Sequence, residues 1–267
     1  MWSDFYAELV NRNIGVITVD EQDMLRNSCI AVAGCGGMGG YSAEQLVRLG
    51  VGHIKIADFD NFEVHNISRQ AGSSFITVGQ PKTLVLSSYF KQINPELHLE
   101  SFPEGVQPEN AAEFVRDADI VIDAIDYTCL YNSVVLHREA RKQGLCLINP
   151  QAIAFGVSVL VFGPGTQTLE EYVGLPEGAT REEIEKFIPP IEKFCPYFPS
   201  YIDKNIAMKA ATGQINIPNI IMPQCLGTAI AVSEATMMIL GRIPQPQGPN
   251  PRIFILDLQD RFFKCIE

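Results

Sequence analysis

The sequence predicts a doubly wound α/β fold, with a mostly parallel sheet and a mixed or antiparallel C-terminal extension. Short apolar segments rich in β-branched residues, such as 29–33 and 120–125, alternate with segments of helical periodicity. This alternation is typical of parallel strands buried on both faces. A glycine-rich loop follows the first such strand and precedes a helical stretch over about 41–49. Strand, turn and helix in that order predict a right-handed crossover unit.

Changes in composition and periodicity along the 267 residues divide the chain into four segments. We expect an N-terminal helical segment over 1–28, a Rossmann-like core over 29–162, a loop-rich segment over 163–226, and a helix and last strand over 227–267 that complete the core. The third segment is rich in proline and glycine. A loop of that length in a compact domain is usually functional or forms an interface.

Composition restricts the function classes. The net charge of −11 argues against broad binding of nucleic acid or anionic membranes, since phosphate contacts need Lys and Arg; a local basic patch leaves tRNA open. No apolar run is long enough for a membrane span, and the first residues lack the order of a signal peptide, so we expect a cytoplasmic protein. Seven cysteines without a C-x-x-C pair indicate neither a disulfide framework nor a structural zinc site.

The glycine loop carries the first functional signal. Gly34, Gly36 and Gly39 form G-x-G-x-x-G between a strand and a helix, and Asp58 ends the next strand 19 residues later. Glycines there let backbone N–H groups approach phosphates at a helix N-terminus. A carboxylate at the position of Asp58 can accept hydrogen bonds from ribose hydroxyls. The pattern predicts a nucleotide site and by itself is typical of NAD as much as of ATP.

Further elements distinguish ATP from NAD. The chain continues with D-x-D at 58–60, N-x-x-R-Q at 66–70, G-x-x-K at 79–82 and D-x-x-D at 123–126. In these motifs the sequence resembles the ThiF/MoeB/HesA family, relatives of the ubiquitin-activating enzymes, over roughly residues 12–160 and again at the helix carrying Glu234. The resemblance implies an ATP-dependent adenylyltransferase. The cofactor-binding residues it implies are Gly34, Gly36, Gly37, Gly39, Asp58, Asp60, Asn66, Arg69, Gln70, Lys82 and Asp126.

The resemblance also implies roles for individual residues. Asn66, Arg69 and Lys82 would contact the phosphates, and Asp126 would hold magnesium. Arg69, Lys82, Asp126 and Arg12 would form the catalytic set. Cations there offset the charge that an incoming carboxylate meets at a triphosphate. The duller interpretations are that Arg69 and Lys82 are surface cations and that Asp126 caps the following helix.

The acceptor is the open question. We expect the C-terminal glycine of a small ubiquitin-like or sulfur-carrier protein, with two alternatives in the same family: threonylcarbamoyl-adenosine tRNA dehydration and adenylation of a peptide. An NAD-dependent oxidoreductase is the alternative from another class, but it leaves Arg69, Lys82 and Asp126 without a role. The family often has Asn and Arg where this chain has Tyr127 and Tyr131. This departure supports a non-enzymatic alternative, a nucleotide-binding scaffold that has lost its chemistry.

Two outlying residues complete the candidates. Cys195 lies between aromatic residues and prolines; in related enzymes a cysteine after the central sheet can bind the substrate covalently, but we favour a buried structural thiol here. Arg12 precedes a turn at Gly15, and in relatives an N-terminal arginine reaches the partner's ATP across a twofold dimer. The resemblance therefore implies a homodimer with Arg12 acting in trans.

Overall fold

The computed structural model describes residues 2–211, 214–215 and 217–267. Its strands are β1 to β8 in chain order: Cys29–Ala33, His53–Ala57, His98–Phe102, Ile120–Asp123, Cys146–Ile153, Gly156–Phe162, Arg252–Asp257 and Phe262–Ile266. Its helices are α1 to α11: Asp4–Leu9, Val19–Asn27, Gly37–Leu49, Lys82–Ile93, Ala111–Phe114, Leu130–Lys142, Leu169–Val173, Arg181–Lys186, Ile191–Phe194, Lys204–Ala211 and Ile221–Ile239.

One eight-stranded sheet has the order β3-β2-β1-β4-β5-β6-β7-β8. The first five strands in this order pair in parallel, and β5 to β8 pair antiparallel. The order reverses between β1 and β4, which is where doubly wound sheets bind ligands, at the carboxyl ends of the strands. The predicted Rossmann-like sheet and its antiparallel C-terminal extension are confirmed.

Burial on both faces explains why β1 is a continuous apolar run. Ile30 and Val32 pack into a core with α3 and α4 on one side of the sheet. Ala31 and Ala33 point to the other side, into a core formed with α5 to α8. Successive side chains of a strand alternate between faces, so a strand between two helical layers must be apolar throughout.

Three predicted elements differ from the structure near their ends. The helix after the glycine loop begins at Gly37 and not near Tyr41, because its first turn lies directly beneath the loop. The sequence G-x-P-K at 79–82 predicts Pro81 within the first turn of a helix, but Pro81 is the N-cap of α4 and lies just before that turn. The N-terminal segment is two short helices, α1 and α2, separated by a turn in which Gly15 has a positive φ.

Two predictions at the C-terminal end were wrong. The helix expected from Gly227 begins at Ile221, because Pro223 lies in its first turn, where no N–H donor is needed. The strand at 252–257 was expected to be the last, but β8 follows it and pairs along its edge. Within the described residues, no helix is both long enough and apolar enough to cross a bilayer.

Candidate active site

A cavity of about 950 Å³ opens at the carboxyl ends of β1, β2, β4 and β5. Its floor is the glycine loop, and segments from four separate parts of the chain form its walls. Ten of the eleven predicted cofactor-binding residues line it: Gly34, Gly36, Gly37, Asp58, Asp60, Asn66, Arg69, Gln70, Lys82 and Asp126. The remaining one, Gly39, is buried beneath the loop.

The three positions of the glycine motif favour glycine for different physical reasons. Gly34 has φ +87°, and a Cβ there would lie 2.3 Å from the carbonyl oxygen of Ala124. At Gly39 a Cβ would lie 1.8 Å from the carbonyl oxygen of Gly34, so this glycine lets α3 approach the loop. A Cβ at Gly36 would meet only the amide nitrogen of Gln70, at 3.8 Å. No tight protein contact therefore requires glycine at Gly36, which borders the open cavity where a ligand would lie.

Asp58 holds the loop against the second strand. Its carboxylate accepts hydrogen bonds from the N–H of Cys35 at 2.6 Å and from the N–H of Asp60 at 2.8 Å. Burial raises the pKa of Asp58, and the nearby Lys82 opposes that rise. The carboxylate therefore fixes the end of β1 and still borders the cavity, as a ribose-binding acid must.

Lys82 is a buried cation, only 6% exposed. Its Nζ donates to Asp60 at 2.8 Å and lies 3.9 Å from Asp58. The two carboxylates compensate a charge that burial alone would penalise. The interpretation of Lys82 as a solvated surface residue is therefore wrong.

The polar loop after β2 shapes the opposite wall. Asn66 is buried, and its Oδ1 accepts a hydrogen bond from the N–H of Glu63 at 2.9 Å, so it closes the loop. Arg69 is partly exposed and donates to the carbonyl oxygen of His65 at 2.9 Å. Gln70 is buried, and its Oε1 has no hydrogen-bond partner among the described residues. Such an orphaned acceptor beside a cavity fits a ligand or water that donates a hydrogen bond.

Asp126 lies at the cavity rim and is exposed. Its Oδ1 accepts hydrogen bonds from the N–H of Thr128 at 2.9 Å and from its hydroxyl at 2.7 Å. It therefore caps the short turn before α6, as the duller interpretation expected. It also lines the cavity, so the capping and the proposed magnesium role are compatible. Magnesium is often bound by one or two carboxylates together with substrate phosphates, and this donor set fits.

A buried network fixes the loop that carries Asp126. The carboxylate of Asp123 is fully buried and contacts the hydroxyl of Ser133 and, at 3.2 Å, Nε2 of His137. Its other oxygen accepts the N–H of Ile125 at 3.1 Å. The amide of Asn149 donates to the carbonyl of Asp123 at 2.8 Å. This network on one side and the glycine loop on the other therefore fix the backbone position of residues 124–126.

The segment 163–226, expected to be an acceptor or interface segment, supplies one wall of the cavity, but the residues that form this wall were not predicted individually. The described part of the segment 163–226 contributes Ala210, Ile215, Ile217, Pro218, Asn219 and Gln224. Gln224 is buried, donates to Asn219 at 2.7 Å, and lies where a Cβ at Gly37 would come within 2.4 Å of its Oε1. A glutamine near a proline in an apolar helix carried no signal in the sequence.

Tyr127 and Tyr131, which replace residues common in the family, each make contacts in the structure. The hydroxyl of Tyr127 donates to the carbonyl oxygen of Ala210 at 3.2 Å and so connects the Asp126 turn to α10. Tyr131 lies under the guanidinium of Arg181, 4.9 Å from the ring centroid. Both tyrosines therefore attach the Asp126 region to the segment after β6.

Cys195 and Arg12 lie outside the lining of this cavity. Burial raises the pKa of the Cys195 thiol to about 11, and the thiol donates to the carbonyl oxygen of Tyr197 at 3.1 Å. The nucleophilic form of cysteine is the thiolate, which is scarce at neutral pH for such a pKa. Arg12 is exposed beyond the end of α1.

We expect Cys195→Ser to retain nucleotide-dependent activity, because the structure gives Cys195 a packing role. The thiol stays protonated until pH rises towards its raised pKa of about 11. Its alkylation at pH 8 should therefore be slower than that of the exposed Cys225, measured by mass spectrometry of the two peptides. Loss of activity in a folded Cys195→Ser protein would show that the thiol takes part in the reaction.

Comparison with known proteins places this geometry in a family. Residues 10–257 match the model of the ThiF family. The tRNA threonylcarbamoyladenosine dehydratase of Bacillus subtilis is 34% identical over 145 residues, which cover 54% of this chain and 56% of that protein. The molybdopterin-synthase adenylyltransferase of Haemophilus influenzae is 30% identical over 165 residues, covering 60% and 67%. The chain thus spans about half to two thirds of these relatives.

Solved structures extend the similarity of the fold to the whole chain. The crystal structure of PaaA has a TM-score of 0.72 and 22% identity, covering 100% of this chain and 74% of that one. Escherichia coli MccB with ATP has a TM-score of 0.69 and 18% identity, covering 92% and 65%. With a family model matched over nearly its entire length, the chain belongs to the ThiF family.

Proposed function

We propose that this protein is an ATP-dependent adenylyltransferase that activates a carboxylate and releases pyrophosphate. The observation that carries the proposal is the convergence of Arg69, Lys82 and Asp126, from three separate segments, on one cavity floored by the glycine loop. Two cations and one carboxylate form a donor set suited to a triphosphate with magnesium. The open space at Gly36 and the orphaned acceptor of Gln70 support nucleotide binding there.

The reaction joins a carboxylate oxygen of the acceptor to the α-phosphorus of ATP and breaks the bond to the leaving pyrophosphate. A C-terminal carboxyl has an unperturbed pKa of about 3.3–3.7, so it is already ionised and needs no general base. The residues then act by position and charge. Arg69 and Lys82 offset phosphate charge, Asp58 binds the ribose, and magnesium held by Asp126 would stabilise the negative oxygens when bound.

Lys82 has a second role in this proposal. Its ammonium group is paired with Asp60 at 2.8 Å. Phosphate oxygens would compete with that carboxylate for the same cation. Asp60 therefore holds Lys82 inside the cavity before the nucleotide arrives, which avoids the cost of ordering a long side chain during binding.

Nucleotide choice tests the proposal against an oxidoreductase. Calorimetric titration of the wild-type protein with ATP and magnesium should give saturable binding at one site per chain, and titration with NAD should give much weaker binding. The expected reason is that NAD lacks the γ-phosphate that Arg69, Lys82 and Asp126 are placed to hold. Tighter binding of NAD than of ATP would contradict the proposal.

The acceptor we propose is the C-terminal glycine of a ubiquitin-like or sulfur-carrier protein, with a peptide or a modified tRNA as alternatives. Relatives are named as a sulfur carrier protein adenylyltransferase and as tRNA threonylcarbamoyladenosine dehydratases, and MccB structures contain MccA. The wall formed by Ile215, Ile217 and Pro218 supports an extended polypeptide more than a tRNA, because it is apolar. The net charge of −11 also disfavours tRNA.

We propose that the active form is a homodimer in which Arg12 completes the partner's site. Arg12 is exposed and lies outside the cavity of its own chain. Inactive Arg12→Ala and inactive Asp126→Ala chains should regain partial activity when mixed and allowed to exchange subunits. A heterodimer then holds one site with both defects and one with neither. Demonstrated heterodimers without restored activity would contradict an action of Arg12 in trans.

A further inference from the structure

Two histidines and a glutamate meet at the edge of the sheet far from the nucleotide cavity. His53 begins β2, His98 begins β3, and Glu100 lies two residues further along β3. The parallel register pairs His53 with His98 and Lys55 with Glu100. Partners in register, and residues two apart on one strand, point to the same face of a sheet. The amino ends of the strands thus bring together side chains that lie 45 and 47 residues apart in sequence.

The three side chains are close enough to share one ion. The ring centroids of His53 and His98 are 4.0 Å apart, and Nε2 of His53 lies 2.7 Å from a carboxylate oxygen of Glu100. One ligand atom from each residue falls within 4.8 Å of the others. Tetrahedral ligands at zinc distances lie about 3.4 Å apart, so a movement of about 1 Å completes the geometry. His98 is exposed and the other two are partly exposed, which leaves room for that movement.

We propose that His53, His98 and Glu100 bind one divalent transition-metal ion of the zinc class. Two imidazole nitrogens and one carboxylate oxygen are a common donor set for zinc with one open position. Magnesium and calcium prefer oxygen ligands only, so this site differs in ion preference from the carboxylate at the nucleotide cavity. It also differs from the paired-cysteine zinc sites of some relatives, since it uses no thiol.

The neighbouring Lys55 sets the strength of binding. Its Nζ lies 3.5 Å from Glu100 and donates to the carbonyl oxygens of Glu113 at 3.2 Å and Arg116 at 2.9 Å. These two bonds fix the ammonium beside the carboxylate. A metal ion would share Glu100 with this cation and be repelled by it. The site should therefore bind its ion reversibly and is not required for the fold.

A simple hydrogen bond between His53 and Glu100 explains why those two side chains lie together, but it does not explain the position of His98. His98 adds a second imidazole, tilted by 41° with its ring centroid 4.0 Å from that of His53, and the hydrogen bond gives this ring no partner. A shared cation bound to both neutral rings gives each a favourable partner. The pairing depends on strand register, and the spacing in the sequence therefore gives no metal-binding signal.

The test is titration of the nucleotide-free protein with Co²⁺, whose absorption spectrum reports its ligands. We expect one reversibly bound ion per chain without the intense thiolate band that a cysteine site would give. His98→Ala should lower the affinity at least about a hundredfold, since losing even an outer-shell partner costs about 10–100-fold. Glu100→Gln, which keeps the shape, should lower it as well. The matched control His65→Ala removes an exposed histidine outside the cluster and should change nothing.

Three outcomes would refute the proposed metal site. A thiolate band would assign the ion to cysteine, and equal affinity in His98→Ala and wild type would assign it elsewhere. Absence of Co²⁺ binding by the wild-type protein would also refute the proposal. Circular dichroism should show an unchanged fold in His98→Ala because the side chain is exposed. The measurement needs no ATP or acceptor, so its result is independent of the adenylation proposal.

Discussion

Replacing Asp126 by asparagine is expected to lower acceptor-dependent ATP–pyrophosphate exchange by about 10²–10³-fold, the usual cost of losing one preorganised charge contact. The fold should remain intact, because asparagine caps a helical turn about as well as aspartate and can keep the hydrogen bonds to Thr128. The variant removes the charge proposed to hold magnesium and preserves the structural role.

Asp126→Ala separates the two roles further. It removes both the charge and the cap, so its activity should match that of Asp126→Asn while its unfolding free energy falls by about 1 kcal/mol. Lys82→Ala should also lower exchange about 10²–10³-fold. Lys186→Ala removes an exposed lysine paired with Glu182 on α8 and serves as the control. Near wild-type exchange in both Lys82→Ala and Asp126→Asn would exclude the proposed charge stabilisation.

Gly36→Ala should abolish tight nucleotide binding without harming the protein. A Cβ at this position meets no atom of the described residues closer than 3.8 Å, and the backbone has a negative φ of −75°, so alanine avoids the left-handed strain that would penalise it. The melting temperature should therefore stay the same or rise slightly, as for other compatible Gly→Ala changes. The added methyl group occupies the space proposed for phosphate, so ATP affinity should fall more than about tenfold, or ~1.4 kcal/mol.

Two further glycine variants isolate this effect. Gly165→Ala also places its Cβ in open space but lies outside the cavity lining, and both its stability and its ATP affinity should match wild type. Gly39→Ala places its Cβ 1.8 Å from a backbone oxygen and should unfold at a much lower temperature. Unchanged ATP affinity in Gly36→Ala, measured by calorimetry, would show that the loop is only a structural turn.

The fold and the cavity floor were accessible from the sequence because their signals are local. The run over 29–33 is apolar at every position, which a strand buried on both faces requires, and the glycine motif follows it directly. Asp58 comes immediately after β2 and Asp126 three residues after the end of β4, so the parallel sheet brings them to one edge. The roles assigned to Arg69, Lys82 and Arg12 stay predictions, as does the division of the chain at 163 and 226.

The remaining features depend on contacts between distant segments. Strand β8 is short and largely exposed. Its sequence lacks the apolar alternation that predicts a strand, and it is a strand only because it pairs with β7. The first residues of α11, which include Pro223 in its first turn, were not predicted to be helical. Gln224 reaches Gly37 only because α11 packs against α3, and His53 meets His98 only through strand register. Each of these contacts joins residues far apart in the chain, so no spacing within a single sequence predicts it.

Exchange of labelled pyrophosphate into ATP tests the central claim most directly. The wild-type protein should be incubated with magnesium, ATP and, in turn, a sulfur-carrier protein ending in glycine, a peptide, and a threonylcarbamoyl-adenosine tRNA. We predict incorporation of label that requires one of these carboxylates and is lost in Asp126→Asn. ATP binding without any incorporation for all three acceptor classes would contradict adenylation as the function of this site.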